Sequence, residues 1–183
     1  SFLSPLTTAV LAKRFLHIPV IAKVLRGGLL GDVYRLQRKP FGSYRLAQYR
    51  RHVSAFTVIS AEIDAELESI GIHQDKRRFI PNGVDTNRFA PAVSDQRLWL
   101  RQQLGLEEGL TAVYTGRLVP EKRIEHLLAA WPAVRQEYPN ARLLILGDGP
   151  NADQLQQQAG AGIRFLGRLD DIVPYLQAAD LFV

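Results

Sequence analysis

The second half of the chain alternates short apolar runs with segments whose apolar residues recur every three or four positions. This alternation predicts strands buried on both faces, each followed by an amphipathic helix. The predicted strands are 111–115, 141–146, 163–166 and 180–183, and the predicted helices are 121–138, 151–160 and 170–178, the first interrupted at Pro132. Strands and helices at this spacing indicate βαβ units and a parallel sheet.

The first half is less regular but has the same character. Its predicted strands are 19–25, 56–59 and 78–80, and its predicted helices are 4–16, 43–51, 62–70 and 95–104. A glycine-rich stretch at 26–32 is interpreted as a structural turn. Pro81-Asn82-Gly83 punctuates the pattern strongly, so segment 81–94 is the predicted domain boundary. We therefore predict an α/β fold with parts of two domains, 1–84 and 85–183.

The stretch from Ala112 to Leu128 carries the clearest candidate chemistry. A strand, a turn at Gly116 and a helix opening at Pro120 would bring Arg117 and Lys122 to a strand's carboxyl end, beside a helix N-terminus. Ligands bind at that edge of open α/β sheets, and helix N-termini favour anions. Two cations there suggest a diphosphate site. The alternative is that both are ordinary solvated charges.

Two further loops follow predicted strands at the same edge. Gly147-Asp148-Gly149-Pro150 does not fit the dinucleotide fingerprint, because the third glycine and the later acid are not placed as that motif needs. On its residues alone, it is a strand-to-helix turn. In the loop 167–171, Asp170 would equally suit the cap of the following helix.

Charge is distributed unevenly along this chain of 183 residues with net charge +5. Residues 1–60 contain ten Lys or Arg and one acid, Asp32, whereas residues 61–183 contain thirteen bases and seventeen acids. A basic surface can attract anionic lipid headgroups or polyanions. No zinc finger or basic motif interleaved with aromatics is present, so a membrane ranks above nucleic acid, which we do not expect as a partner. An ordinary solvated surface is the alternative.

Several absences shape the remaining expectations. The chain has no cysteine, so disulfides are excluded, and no apolar run approaches the ~18 residues of a spanning helix. Its four histidines show no metal-ligand spacing, and we expect no metal site. The start at Ser1 without methionine, and the strand-like end at Val183, lead us to expect an internal fragment.

Four motifs occur together in a characteristic order: FIPNGVDTNRFAP, TGRLVPEKRIEHLLAAW, LLILGDGP and FLGRLDDIVPYLQAADLFV. The last three resemble the nucleotide-sugar-binding half of family-4-type retaining glycosyltransferases (glycosyl transferases group 1). The first resembles the segment that joins that family's two domains. The resemblance implies a GT-B fold of two Rossmann-like domains with parallel sheets. Residues 1–84 would end the acceptor-side domain, and residues 85–183 would begin the nucleotide-sugar-binding domain.

The resemblance also implies an activity. The parent enzyme would transfer a sugar from a UDP-, GDP- or ADP-sugar to a saccharide, lipid-linked or small-molecule acceptor, with retention and without a metal or cofactor. Arg117 and Lys122 would stabilise the diphosphate, while Gly116, Asp148 and Gly149 would lie near the bound nucleotide. Leu169 and Asp170 would meet the nucleobase. Arg123 departs from the family, which commonly has glycine there.

Two other functions remain open on the sequence. The chain could be a non-catalytic module that binds nucleotide or anionic membrane, or a GT-B sugar-nucleotide epimerase. The family's usual glutamate pair and glycine-rich acceptor loop lie outside this sequence, so we expect the chain alone to be inactive. We expect a cytoplasmic protein, or one peripheral on the cytoplasmic face of the membrane. The residues do not specify the donor base and sugar, the acceptor and linkage, or the oligomeric state.

Overall fold

The computed structural model describes residues 4–106 and 109–183. The chain forms two compact units, Ser1–Gly83 and Val84–Val183. Each unit is built on its own parallel sheet.

The first unit has a three-stranded sheet in the order β1-β2-β3. Its strands are β1 (Ile21–Lys23), β2 (Ala55–Val58) and β3 (Arg77–Phe79), and its helices are α1 (Ser4–Leu16), α2 (Asp32–Gln37), α3 (Gly42–His52) and α4 (Ala61–Ser69), with 3-10 turns at Gly28–Leu30 and Gln74–Lys76. The core is apolar and centred on β2, where Phe56 and Val58 are fully buried. Leu36 of α2 and Leu67 of α4 are also fully buried in this cluster.

Local signals account for the ends of α4. The Ser60 hydroxyl accepts a hydrogen bond from the Ile63 backbone N–H at 3.3 Å, as an N-cap side chain does. Gly71 follows the helix with φ 79°, a conformation that glycine adopts readily. The sequence did not predict α2, which has only six residues, too few to show a helical period.

The second unit has a four-stranded sheet in the order β6-β5-β4-β7. Its strands are β4 (Thr111–Thr115), β5 (Arg142–Leu146), β6 (Ile163–Gly167) and β7 (Leu181–Phe182), and its helices are α5 (Ser94–Gln103), α6 (Ile124–Glu137), α7 (Ala152–Gln157) and α8 (Val173–Ala178), with a 3-10 turn at Pro120–Lys122. All four strands run parallel, as the alternating pattern predicts.

Both faces of this sheet are covered, which explains why its central strands read as continuous apolar runs. On β4, Ala112 and Tyr114 pack against the face that carries α6 and α7. Val113 points to the opposite face and packs with residues of α5 and α8. The side chains of β5 divide between the two faces in the same alternating way.

The strand order reverses at β4. The chain steps from β4 to β5 and β6 on one side, and then returns to place β7 on the other side of β4. In an open α/β sheet, ligands bind outside the carboxyl ends of the strands near such a reversal. The predicted α/β class with parallel sheets is therefore confirmed, and the carboxyl end of β4 is the place to examine for a site.

Two predictions about helix α6 were wrong. The helix begins at Ile124 and not at Pro120, because Arg123 adopts a left-handed conformation (φ 51°, ψ 39°) that separates a short 3-10 turn from the helix. The helix also continues through Pro132. Pro132 itself is exposed, and packing of Leu128 and Trp131 before it and of Val134 after it holds the helix on the sheet.

Candidate functional site

A cavity of about 600 Å³ opens at the carboxyl ends of β4, β5 and β6. It is lined by Thr115, Gly116, Arg117, Leu146, Gly147, Asp148, Gly149, Arg168, Leu169 and Ile172. These residues come from three loops that are distant in sequence. The parallel sheet brings the loops together because parallel strands end at the same edge.

Backbone hydrogen bonds join the three loops directly. The N–H of Gly116 donates to the carbonyl of Leu146 at 3.0 Å, and the N–H of Gly147 donates to the carbonyl of Gly167 at 2.7 Å. The N–H of Leu118 donates to the carbonyl of Asp148 at 3.0 Å. The cavity floor is thus main chain held in one arrangement, and little ordering is needed when a ligand binds.

Two glycines permit this close approach. A Cβ atom on Gly147 would lie 1.9 Å from the Gly116 carbonyl oxygen, and one on Gly149 would lie 2.3 Å from the Leu118 carbonyl oxygen. Gly147 also has φ 134°, which side-chain-bearing residues rarely adopt. The fold itself therefore requires glycine at both positions, independently of any ligand that the loop binds.

Tyr114 supports the Arg117 loop from below, a role that the sequence did not reveal. Its ring is buried in the core against α6, and burial raises the pKa of its phenol. The hydroxyl donates to the carbonyl oxygen of Arg117 at 3.4 Å and lies 2.6 Å from the position that a Cβ on Gly116 would occupy. Only the alternation of strand side chains, combined with the turn that follows, could have suggested this contact.

The two predicted cations differ in position. Arg117 lines the cavity and its side chain is exposed. Lys122 is also exposed, in the 3-10 turn before α6, but it is not among the lining residues. Within residues 4–106 and 109–183, neither side chain has a carboxylate partner within ion-pairing distance. Among the described residues, therefore, no carboxylate pairs with either charge.

Asp148 and Gly149, predicted near the nucleotide, both line the cavity. The carboxylate of Asp148 accepts a hydrogen bond from the N–H of Gly149 at 2.7 Å. This local bond fixes the loop and orients the exposed carboxylate at the cavity edge.

The loop after β6 contributes a different set of residues from the predicted one. Leu169 lines the cavity, as does Arg168, which the sequence placed in this loop but gave no role. Asp170 is exposed and lies outside the lining. Arg168 adds a second positive charge to the cavity lining, in addition to that of Arg117.

Asp171, and not Asp170, bonds the start of α8, one residue before the N-cap Ile172. Its carboxylate accepts a hydrogen bond from the N–H of Val173 at 3.1 Å and from Arg88 Nη2 at 3.0 Å. The backbone hydrogen bond and the Arg88 guanidinium hold the pKa of Asp171 below its ordinary value. The predicted helix 170–178 accordingly begins at Val173, which frees Asp170 from any capping function.

Two kinds of feature are absent from the described residues. No group of three or more histidine or acidic side chains there is arranged to hold a metal ion. None of the helices in the described ranges has the length and apolar character that a membrane span requires.

Two parts of the chain match protein-family models. Residues 1–88 match the model described as Glycosyltransferase Family 4, and residues 109–183 match the one described as Glycosyl transferases group 1. The chain belongs to the group 1, family 4 glycosyltransferases. The family 4 match covers the first structural unit, and the group 1 match covers most of the second. The residues that line the cavity all lie within the group 1 match.

Curated relatives of this glycosyltransferase include several mannosyltransferases. A GDP-mannose-dependent monoacylated alpha-(1-6)-phosphatidylinositol monomannoside mannosyltransferase of Corynebacterium glutamicum is 37% identical over 109 residues, which is 56% of the chain and 29% of the relative. A phosphatidyl-myo-inositol mannosyltransferase of Mycobacterium tuberculosis is 40% identical over 109 residues, 56% of the chain and 27% of the relative. The matched residues therefore span less than a third of the length of these relatives.

Solved structures share the fold at low sequence identity. HepE of Anabaena, solved in complex with UDP and glucose, superposes with a TM-score of 0.74 at 22% identity, covering 97% of this chain and 49% of HepE. A glycosyltransferase from Rickettsia africae superposes with a TM-score of 0.70 at 15% identity, covering 98% and 48%. The fold is of the GT-B type, as the resemblance implied, and the chain spans about half the length of these neighbours.

Proposed function

We propose that the protein transfers a sugar from a nucleoside-diphosphate-sugar to an acceptor, with retention and without a metal ion. The observation that carries this proposal is the position of the cavity, at the carboxyl ends of β4, β5 and β6, within the part of the chain that matches group 1 glycosyltransferases. In this assignment the unit Val84–Val183 belongs to the donor domain, and the unit Ser1–Gly83 belongs to the acceptor domain.

Arg117 and Lys122 stabilise the diphosphate as it leaves the sugar. When the sugar leaves, negative charge develops on the diphosphate, and preorganised cations and backbone donors stabilise that charge. Arg117 presents a planar set of donors at the cavity, and Lys122 brings a compact charge from the adjoining turn. The diphosphate of the bound nucleotide sugar already bears two negative charges, so only the stabilisation of the additional charge that develops on it as the sugar leaves lowers the barrier.

The nucleotide itself lies along the three loops. Gly116, Asp148 and Gly149 border the diphosphate and ribose, and Leu169 supports one face of the base. Asp170, exposed and not engaged in capping, is placed to accept hydrogen bonds from a base that carries N–H donors.

The relatives guide the choice of substrates. The names of two of them specify mannosyl transfer to phosphatidylinositol-based acceptors, and one of these names GDP-mannose as the donor. Another, mannosylfructose-phosphate synthase of Agrobacterium fabrum, is 28% identical over 155 residues, 76% of the chain and 34% of the relative. We propose a GDP-sugar as the first donor to test, ahead of UDP- and ADP-sugars, with lipid-linked and saccharide acceptors both included.

We also propose that the protein lies peripherally on the cytoplasmic face of a membrane. The basic residues of the first sixty positions support this, because anionic headgroups attract such a surface. The proposal is consistent with relatives whose named acceptors are lipids.

Calorimetric titration with GDP, UDP and ADP tests the donor site. We expect the chain to bind one of them, the Arg117→Ala variant to bind it at least about tenfold more weakly, and the Arg164→Ala variant, which alters an exposed arginine outside the cavity, to bind normally. No binding of any nucleotide by the chain, or equal binding by both variants, would remove the cavity as the donor site.

Transfer is tested on the full-length protein with GDP-mannose and candidate acceptors. Nuclear magnetic resonance of the product should show the donor's anomeric configuration, and turnover should persist in a metal chelator. An inverted product, or loss of turnover in chelator, would contradict the proposed mechanism. Interconversion of the nucleotide sugar without any acceptor would instead support the epimerase function.

A further inference from the structure

Two side-chain contacts join the first residues of the second unit to the region that follows β6. Arg88 Nη2 donates to Asp171 Oδ1 at 3.0 Å, although the two residues lie 83 positions apart in the sequence. Gln177 Nε2, on α8, donates to the carbonyl oxygen of Ala90 at 2.8 Å. We call residues 84–93 the joining segment, because they follow directly on the first unit. The joining segment is therefore bonded to both the start and the body of α8.

The backbone around Arg88 is fixed by a local turn. The carboxylate of Asp85 accepts hydrogen bonds from the N–H groups of Asn87 at 3.1 Å and Arg88 at 3.0 Å. The N–H of Phe89 donates to the carbonyl oxygen of Asp85 at 2.9 Å. The Arg88 guanidinium also lies over the Phe89 ring, 5.6 Å from its centroid, where a cation is attracted to the ring face. Arg88 therefore reaches Asp171 from an ordered turn.

Apolar packing connects the joining segment with the cavity of the candidate site. Ala92 packs on the core cluster between the sheet and the helices α5 and α8. Leu169 and Ile172 pack on the same cluster, and both also line the cavity. The joining segment and the cavity lining thus rest on one set of buried side chains.

Asp171 lies between these two lining residues in the sequence and makes the polar link. Its carboxylate bonds the N–H of Val173 at 3.1 Å as well as the Arg88 guanidinium. The pKa of Asp171 is held below its ordinary value, first by the Val173 N–H and then by Arg88, so the group is ionised at neutral pH. The loop 167–172 is anchored at its start by the carbonyl of Gly167, which accepts from the Gly147 N–H at 2.7 Å, and near its end by Asp171.

We propose that Arg88 is a positioning residue of the donor site, and that it acts through Asp171 to hold the loop 167–172 where the nucleoside of the donor lies. This inference rests on the proposed function. Arg88 itself is not among the residues that line the cavity, and it precedes the part of the chain that matches the group 1 model. Its effect on the ligand is therefore indirect.

The topology explains why the nucleoside, and not the diphosphate, should sense Arg88. The loop follows β6, whereas Arg117 follows β4, and β5 lies between these two strands. Neighbouring strands are about 4.8 Å apart, so the two strand ends are separated by roughly 10 Å. Displacement of the loop 167–172 should then weaken contacts to the nucleoside and leave those between Arg117 and the diphosphate in place.

Calorimetric titration of the full-length protein tests this role with GDP, UDP, ADP and pyrophosphate. Arg88→Ala should bind the preferred nucleotide about two- to fivefold more weakly, the effect expected of a half-exposed ion pair, and should bind pyrophosphate normally. Arg117→Ala should bind both ligands more weakly. Arg164→Ala removes the same charge from an exposed position on β6 and should bind both normally.

A double-mutant cycle tests whether Arg88 acts through Asp171. Asp171→Asn keeps an oxygen that can accept from the Val173 N–H but loses the charge, so it should weaken nucleotide binding as much as Arg88→Ala does. The double variant should bind no more weakly than either single variant, because both changes remove the same contact. Arg88→Lys keeps the charge and should retain most of the affinity. The two side chains are 52% and 56% exposed, so thermal midpoints should hardly change.

The outcomes separate this role from the donor site itself. If no nucleotide binds, the proposed function and the role of Arg88 are both overturned. If a nucleotide binds, Arg117→Ala weakens it and Arg88→Ala does not, the donor site stands and the role of Arg88 is wrong. Equal weakening of nucleotide and pyrophosphate by Arg88→Ala, or additive effects in the double variant, would also overturn the role.

Discussion

The backbone N–H of Leu118 donates to the carbonyl oxygen of Asp148 at 3.0 Å, and this bond ties the loop that carries Arg117 to the neighbouring loop after β5. The N–H of Asn151 donates back to the carbonyl of Leu118 at 3.2 Å, so the two loops are linked in both directions. A ligand that contacts one loop therefore meets a surface already positioned by the other. This coupling makes the glycines at the contact as important to the site as the charged side chains.

The first prediction concerns Gly147. Replacing it with Ala places a Cβ atom 1.9 Å from the Gly116 carbonyl oxygen and strains a backbone at φ 134°, so the loops must separate. We expect the free energy of unfolding to fall by about 1–3 kcal/mol and nucleotide affinity to fall with it. Thermal unfolding and calorimetry measure the two effects.

Gly160→Ala is the matched control for this prediction. No atom lies within 4 Å of the position that its Cβ would take, and its φ is not positive. It should leave stability and affinity nearly unchanged. Equal effects at positions 147 and 160 would mean that the close contact between the loops does not matter.

The second prediction separates catalysis from folding at Arg117 and Lys122. In the full-length enzyme, changing either to Ala should lower turnover about a hundredfold or more, because each is proposed to stabilise charge that develops on the diphosphate. Both side chains are exposed, so the melting temperature should hardly change. Steady-state kinetics with a measured thermal midpoint for each variant tests both parts.

The Lys122→Ala variant is the more discriminating test, because Lys122 does not line the cavity. If Arg117→Ala is impaired and Lys122→Ala is fully active, Arg117 alone acts on the diphosphate. Unimpaired transfer by both variants would remove both from the site.

The sheet of the second unit could be predicted because its signals are local. The residues of β4 and β5 are apolar at successive positions, and each strand is followed by a helical period, so both the strands and their parallel order follow from short stretches of sequence. Because parallel strands end at one edge, the sequence also predicts that Gly116, Arg117, Asp148 and Gly149 lie near one another.

The remaining features depend on contacts or conformations that no local pattern specifies. Pro120 and Glu121 satisfy the signals for a helix start, but the left-handed Arg123 delays the helix to Ile124. An arginine does not predict a left-handed conformation, because residues with a Cβ atom rarely adopt it. The support of the Arg117 loop by Tyr114 likewise depends on how the chain turns back over the end of its own strand.

The third prediction follows from that conformation. At Arg123, where the family commonly has glycine, φ is 51°, and a left-handed conformation costs a non-glycine residue about 1–2 kcal/mol. Arg123→Gly should therefore raise the free energy of unfolding by about 1 kcal/mol, part of the gain being offset by the greater freedom of glycine in the unfolded chain. Thermal or denaturant unfolding measures the change.

Glu121→Gly, in the same turn but without a positive φ, is the control and should destabilise the protein slightly. If Arg123→Gly destabilises the protein as Glu121→Gly does, the arginine makes a compensating contact and the strain argument fails.

The fourth prediction concerns acid stability through Asp180. Its carboxylate accepts hydrogen bonds from the Thr111 N–H at 2.7 Å and from the guanidinium groups of Arg97 and Arg101 on α5. Burial alone would raise its pKa, but these partners hold the pKa below the ordinary value of 3.8. A carboxyl whose pKa is lower in the folded state stabilises the fold above its unfolded pKa and loses that effect as pH falls.

Asp180→Ala should therefore lower the free energy of unfolding by about 1–2 kcal/mol at neutral pH. The difference from the unsubstituted chain should shrink below about pH 4. Denaturant unfolding at several pH values measures this trend. Asp153→Ala removes an exposed aspartate on α7 and should show no comparable loss. A stability difference for Asp180→Ala that is constant with pH would show that its charge is not the cause.

The last prediction is that the 183-residue chain binds a nucleoside diphosphate but does not transfer the sugar. Holding donor and acceptor in one geometry can contribute roughly 7–11 kcal/mol of barrier reduction, and this requires groups on both sides of the reacting sugar. The chain offers Arg117, Lys122 and the loops beside them, yet it spans about half the length of its solved neighbours. The resemblance places the family's glutamate pair and glycine-rich acceptor loop outside this sequence.

Calorimetry with GDP, UDP and ADP, run beside a sugar-release assay on the same samples, separates binding from turnover. The chain should give a measurable but weak binding signal and no release above the uncatalysed rate, while the full-length protein should give both. Arg117→Ala in the chain should weaken binding at least about tenfold, which ties the signal to the cavity. Turnover by the chain that matches the full-length protein would mean that the reacting geometry is assembled from these residues alone, and the assignment of the site to one half of a larger cleft would be wrong.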